Sequence, residues 1–336
     1  MKPKVYVTRQ IFPPAIERLR QFCEVVVNKT EDPPSREELL GQVRDKDGIL
    51  CFVGDGIDRG FLDAAPRLKV ISTMTVGYDH IDVAECTKRG IYIGHTPDVL
   101  TDATADLAFA LLLCAARRVA EGDRFVRAGI WKKLLPPQGF LGTSVSGKTL
   151  GIIGMGRIGR AVGSRAKGFR MNVLYHDRER LTLDDENALG AAYSTLEDLL
   201  SESDFVSIHV PLMENTRHLI DEARLRLMKP GAILINTSRG PTVDEAALVR
   251  ALKEKWILAA GLDVYEKEPL APASPLLGLD NVVLLPHLGS ATKEARGDMA
   301  SMAVGNLLAV FTGEKPPALL NPEAGLVRPL DRVKMI

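Results

Sequence analysis

The chain has 336 residues, 46% hydrophobic and only 5% aromatic, too long for one ordinary core and suited to two domains of roughly 100–200 residues each. Lys plus Arg and Asp plus Glu balance at 43 each, so no overall field favours nucleic acid or a membrane surface as a partner. The four cysteines (Cys23, Cys51, Cys86, Cys114) lack metal-type spacing, no apolar run is long enough to span a bilayer, and Met1-Lys2-Pro3-Lys4-Val5 lacks the apolar run of a signal peptide; the expectation is a cytoplasmic protein with reduced thiols.

In chain order, Lys4–Thr8, Gly48–Val53, Lys69–Met74 and Ile91–His95 read as strands, short and bounded by polar or Gly/Pro residues. Helical patterns fall between them at Pro14–Phe22, at Ser35–Arg44, where Ser35 and Glu38 have capping-box spacing, and at Asp82–Arg89. A helix begins near Thr101 and is expected to run past Arg118, followed by a Pro/Gly-bearing stretch from Gly129 to Gly147. The pattern then restarts, with strands expected at Thr149–Ile153, Asn172–His176, Phe205–His209, Ala232–Asn236, Ala259–Val264 and Val282–Leu285, and a closing helix at Ser290–Gly313. Near-continuous apolar runs such as Ala-Ile-Leu-Ile suit strands buried on both faces. The alternation implies an α/β fold of two doubly wound domains. The first is expected to be discontinuous, 1–99 plus 288–336, with the second, 100–287, inserted in it.

The restart carries a glycine pattern, Gly154-x-Gly156-x-x-Gly159, directly after an apolar strand and before a helix expected at Arg160–Gly168. Alone the pattern is weak; in this position it fits a dinucleotide. Gly154 allows the tight turn, Gly156 lets backbone approach a pyrophosphate, Gly159 lets helix pack on strand, and the helix N-terminus faces the phosphates. Asp177 follows the next strand at about the spacing of an acid that bonds the adenosine ribose. Its charge repels a 2′-phosphate and favours NAD, although Arg178 beside it leaves NADP open.

Several longer stretches resemble the D-isomer-specific 2-hydroxyacid dehydrogenases, within them the glyoxylate/hydroxypyruvate reductases. They are Thr75-Val76-Gly77-Tyr78-Asp79-His80-Ile81-Asp82, Thr101-Asp102-Ala103-Thr104-Ala105-Asp106-Leu107, Gly147 to Gly156, Asn236-Thr237-Ser238-Arg239-Gly240, Asp263 to Pro269, and Pro286-His287-Leu288-Gly289-Ser290. The resemblance implies two Rossmann-like domains with the active site in the cleft between them, and hydride transfer between a nicotinamide and a small 2-oxo or 2-hydroxy acid. It assigns Arg239 to the substrate carboxylate and carbonyl, a task suited to a planar guanidinium. His287 becomes the proton donor in reduction and acceptor in oxidation, and Glu268 its orienting carboxylate. Val76 and Gly77 become the backbone donors of a substrate loop. Thr104 and Ser238 border the nicotinamide, Asp263 its carboxamide, and Arg157 and Ile158 the pyrophosphate; Leu100 and Trp131 shape the substrate pocket. Glu266 reads as a solvated charged turn.

No His/Cys/Asp/Glu cluster has metal-ligand spacing, and no metal is expected. The helix after Thr101, with Leu107, Leu111, Leu112 and Cys114, and the loop near Trp131 offer apolar surface for a homodimer. Rival readings are a phosphite dehydrogenase, whose pattern has Lys where Val76 stands, a formate dehydrogenase, whose histidine pairs with glutamine rather than Glu268, and a dinucleotide-sensing corepressor, which turnover of a simple oxo acid would separate from an enzyme.

Overall fold

A computed structural model describes residues 2–30 and 32–336. The chain divides into two units, one running to Leu100 and resuming at Thr292–Ile336, the other Thr101–Ala291. The return boundary lies four residues beyond the expected 287/288. Leu288 and Gly289 donate their N–H groups to the Asp263 carboxylate at 2.6 and 2.8 Å, and Thr104 Oγ1 donates to the Gly289 carbonyl at 3.1 Å, so 288–291 stay with the second unit.

The first unit holds a parallel five-stranded sheet: β1 (Lys4–Val7), β2 (Glu24–Val27), β3 (Gly48–Cys51), β4 (Val70–Thr73) and β5 (Tyr92–Gly94), in the order β2-β1-β3-β4-β5. Every residue of β3 and β4 is buried, as expected of strands covered on both faces. The helix Lys293–Thr312 packs on β3, β4 and β5; Thr292 caps it, and Gly313, at φ +79°, ends it in a left-handed turn. The capping box of Ser35 and Glu38 forms at the helix Arg36–Val43. Sequence reading overlooked β2, an edge strand whose burial merely alternates, and the short helix Arg59–Ala64 capped by Asp58.

The second unit holds seven parallel strands: β6 (Thr149–Ile153), β7 (Asn172–His176), β8 (Ala191–Tyr193), β9 (Phe205–Ile208), β10 (Ile233–Asn236), β11 (Ala259–Leu262) and β12 (Val282–Leu284), in the order β12-β11-β10-β9-β6-β7-β8. The order reverses between β6 and β9, and the crevice at the carboxyl ends there is where open α/β sheets take ligands. Both sheets fall in the doubly wound α/β class that the alternation implied.

Two helices differ from expectation. The helix after Leu100 ends at Ala116, because Arg118 turns left-handed at φ +53° and a separate helix, Val119–Arg127, follows. Leu111 and Leu112 are buried in the core beside β6 and β10 residues, so they offer no surface to a partner. Exposed apolar residues recur instead along the stretch that follows, at Val119, Val126, Ile130, Trp131, Leu134, Leu135 and Leu141. The helix after the glycines begins at Arg157, three residues earlier than expected, and ends at Ala166, two earlier. All four cysteines are free thiols, and burial pushes Cys23 and Cys86 up to about 12. Among the described residues no helix is long and apolar enough to cross a membrane.

Candidate active site

The glycine loop is built by close approaches. Gly154 sits at φ +94°, and a Cβ there would lie 2.7 Å from the His209 carbonyl at the end of β9. A Cβ on Gly159 would stand 2.1 Å from the Gly154 carbonyl oxygen. Neither position admits a side chain. At Gly156 a Cβ would meet open space, so that glycine leaves room beside the backbone. Gly156 is also the N-cap of the helix Arg157–Ala166 and gives it no side-chain cap. A positive helix end, an open approach and a backbone turn together fit a pyrophosphate.

Asp177, just beyond β7, points one carboxylate oxygen back at this loop: Oδ2 accepts from Met155 N–H at 2.7 Å, and Oδ1 from Arg178 N–H at 2.6 Å. The acid therefore holds the glycine turn in shape while remaining half-buried beside it. Arg178 is exposed. These residues fit the ribose and phosphates of a dinucleotide.

Deeper in the unit, β10 ends in Asn236, a buried amide whose donor and acceptor sides are both engaged. Its Nδ2 donates to the Arg239 carbonyl at 3.0 Å and to Thr242 Oγ1 at 3.3 Å, while its Oδ1 accepts from Ser238 N–H at 3.0 Å and Ser238 Oγ at 2.9 Å. Thr242 Oγ1 also donates to the Arg239 carbonyl at 2.6 Å. The turn bearing Ser238 and Arg239 is thus pinned from inside. Sequence reading missed Asn236; its signal was a polar residue closing a wholly apolar strand, where burial demands partners.

A Cβ on Gly240 would lie 1.8 Å from the carbonyl carbon of Tyr265. This absence of a side chain lets the Arg239 turn rest on the turn that carries Glu268. Glu268 Oε1 accepts from Tyr265 N–H at 3.1 Å, and Glu268 Oε2 meets His287 Nδ1 at 2.7 Å. Burial pushes the Glu268 carboxyl up, yet the His287 hydrogen bond and charge, the Tyr265 N–H and the Arg239 charge outweigh it and leave it below its ordinary value. Ionised Glu268 can only accept, so Nδ1 carries the proton of this bond and Nε2 becomes the ring position for proton exchange. His287 stands at φ +56°, uncommon for a residue with a side chain, and its N–H donates to the Asp263 carbonyl at 3.0 Å.

Asp263 is fully buried. Burial raises its carboxyl above the ordinary value, against the bonds from Leu288 and Gly289 and the His287 charge. With Thr104, it shapes the 287–289 turn from below. Glu266 is not the idle charge expected from sequence. Its Oε1 meets His218 Nε2 at 2.8 Å and accepts from Glu245 N–H at 3.2 Å, and its own N–H donates to Glu245 Oε2 at 3.1 Å. In the first unit, Val76 and Gly77 follow β4, both half-buried, and Leu100 is buried. Trp131, in the second unit, is exposed.

Residues 109–289 match the family model described as "D-isomer specific 2-hydroxyacid dehydrogenase, NAD binding domain". The chain is 54% identical to a glyoxylate reductase of Thermofilum pendens, over 100% of this chain and 99% of that one. Among solved structures, a protein from Thermus thermophilus aligns with a TM-score of 0.88 at 46% identity, covering 94% of this chain and 99% of its own. An NADPH-dependent glyoxylate/hydroxypyruvate reductase from Sinorhizobium meliloti, solved with NADP and malonate, aligns with a TM-score of 0.84 at 35% identity over 96% and 98% of the two chains.

Proposed function

The chain belongs to the D-isomer-specific 2-hydroxyacid dehydrogenase family, and we propose that it reduces glyoxylate, with hydroxypyruvate as a second substrate, to the D-2-hydroxy acid. It is an NAD(P)-dependent oxidoreductase acting on a small 2-oxo acid.

The observation that carries this reading is the 2.7 Å contact of His287 Nδ1 with Glu268 Oε2. It fixes which nitrogen is left for the substrate oxygen. A bound nicotinamide supplies or receives the hydride. The protein's own part is to bind and orient the acid and to move one proton at His287 Nε2. In reduction that nitrogen starts protonated and gives its proton to the nascent hydroxyl; in oxidation it starts bare and takes the proton back. Arg239 holds the carboxylate and polarises the carbonyl through its guanidinium, and the N–H groups of Val76 and Gly77 are further carboxylate donors. Gly154, Gly156, Arg157, Ile158 and Gly159 hold the pyrophosphate, with Thr104, Ser238 and Asp263 on the nicotinamide side. Asp177 supports NAD over NADP, because a carboxylate at the ribose repels a 2′-phosphate.

The reading extends to a cytoplasmic homodimer. Its support is the series of exposed apolar side chains from Val119 to Leu141, a concentration that suits a second copy. A monomer by light scattering at micromolar concentration would remove the dimer from the reading.

The test of activity is a screen of glyoxylate, hydroxypyruvate, pyruvate and bulkier oxo acids with NADH and NADPH, alongside Arg239→Ala. Glyoxylate should lead, and the variant should lose both substrate affinity and turnover, since Arg239 acts in ground and transition states alike. No oxidation of either nucleotide by any oxo acid would defeat the proposal.

A further inference from the structure

The Val76–Gly77 loop of the first unit is tied down by side chains that no part of the reaction uses. His95 Nδ1 lies 3.1 Å from the Val76 carbonyl oxygen. A carbonyl oxygen only accepts, so Nδ1 carries the proton and donates. Thr75 Oγ1 donates to the Gly77 carbonyl at 2.6 Å. Its single proton is thereby engaged, so at the 2.7 Å contact between Thr73 Oγ1 and Thr75 Oγ1 the donor is Thr73. Thr73 in turn accepts from His80 Nε2 at 3.1 Å. Two consecutive peptides, 76–77 and 77–78, are therefore each held by their oxygen.

In a trans peptide the C=O and N–H point in opposite directions. Fixing the Val76 oxygen thus aims the Gly77 N–H, and donation to that oxygen polarises the amide and strengthens its N–H as a donor. Neither the Val76 nor the Gly77 N–H donates to an acceptor among the described residues. The ring that does the aiming is itself held. His95 N–H donates to the Ala318 carbonyl at 3.1 Å, its carbonyl accepts from the buried Asn306 Nδ2 at 2.9 Å, and its ring meets Tyr78 edge-on with centroids 6.2 Å apart.

We propose that His95 is a positioning residue for substrate affinity, which orients the Val76–Gly77 peptide so that the Gly77 N–H receives the carboxylate of a 2-oxo acid. This rests on the assignment of Val76 and Gly77 to the substrate and adds the residue that sets their direction.

The test compares His95→Phe, which keeps a flat ring beside Tyr78 but removes the donor, with His95→Asn, whose Nδ2 stands where the imidazole Nδ1 does. Glyoxylate kinetics are measured at saturating NADH, and oxalate, an inert dicarboxylate, is titrated into the NADH-loaded enzyme by calorimetry. His95→Phe should raise the glyoxylate KM and the oxalate Kd roughly tenfold, the effect of one lost hydrogen bond to a charged group. It should change kcat far less and leave the KM for NADH alone, and His95→Asn should restore both constants. Unchanged constants in His95→Phe, or equal damage in His95→Asn, would overturn the proposal. A wild-type enzyme that binds oxalate but reduces no oxo acid would sink the functional reading, while the oxalate series still decides the role of His95. Failure to bind oxalate at all would overturn both.

Discussion

Gly240 stands so close to Tyr265 that a Cβ on the glycine would lie 1.8 Å from the tyrosine carbonyl carbon. Both contacting groups are main chain, so no side-chain rotation can relieve an added methyl. Tyr265 N–H holds Glu268, and its hydroxyl donates to the Leu285 carbonyl at 2.8 Å, two residues before His287. The approach of these two residues therefore sets where the Arg239 turn lies against the Glu268–His287 pair. Gly240→Ala should displace that turn and cost on the order of 1–3 kcal/mol of stability, with a fall in kcat/KM of at least about tenfold. Thermal unfolding and steady-state kinetics read the two effects, and wild-type values for both would refute the geometric argument.

The proposed proton-transfer pair yields a kinetic signature. His287→Ala should lose on the order of 10²–10⁴ in turnover, the reach of a positioned acid–base group. Burial pushes the Glu268 carboxyl up, but its bond and charge interaction with His287 bring it below its ordinary value, so it is the carboxylate that faces the ring. Glu268→Gln replaces that acceptor-only partner of Nδ1 with an amide and should lower turnover in both reduction and oxidation. Full activity in His287→Ala would exclude the mechanism.

Asp177 carries two separable tasks, which the choice of substitution can divide. In the proposed reading its charge selects against a 2′-phosphate, whereas its Oδ2 accepts from Met155 N–H at 2.7 Å. Asp177→Asn keeps an acceptor for Met155 and removes only the charge, so it should narrow the NADH preference while NADH still binds. Asp177→Ala removes both and should weaken NADH and NADPH together. A wild-type preference for NADPH would overturn the assignment and direct attention to Arg178.

Glu186 gives the second unit an acid-sensitive anchor. Its Oε1 accepts from Tyr175 at 2.7 Å and Arg180 Nε at 2.8 Å, and its Oε2 from Arg180 Nη2 at 3.0 Å. The Arg180 and Tyr175 hydrogen bonds lower its carboxyl from 4.5 to about 2, against desolvation. A depressed carboxylate contributes stability that is complete above its unfolded value and disappears as pH falls through the folded one. Glu186→Gln should therefore melt earlier than wild type at neutral pH, and the difference should shrink from about pH 4.5 toward pH 2. A gap in melting temperature independent of pH would show that the charge is not what matters.

The glycine turn and the position of Asp177 just after β7 were legible in the chain, because each sits at a strand end, whereas the roles of Arg239, Glu268 and His287 came only from the family resemblance. Gly154 and Gly159 are needed where backbone meets backbone within a few residues of a strand end, and the alternation of apolar runs with helical patterns follows from strands covered on both faces. Edge elements were harder. The strand β8 is three residues long with two of them exposed, so it buries little of its own and exists because β7 offers it a pairing edge.

What only the tertiary structure decided is which distant groups meet. The sequence contained Glu266 and His218, but across the 48 positions that separate them nothing signals that they pair; that pairing depends on where two loops leave the sheet. The helix after Leu100 looked continuous because periodicity does not reveal a left-handed residue at Arg118. Asn236, Tyr265 and His95 act through side-chain hydrogen bonds to backbone carbonyls, and every residue presents one. Their targets are thus chemically anonymous in one dimension and become distinct only when sheet order and turn geometry bring one particular carbonyl within 3 Å of one particular donor.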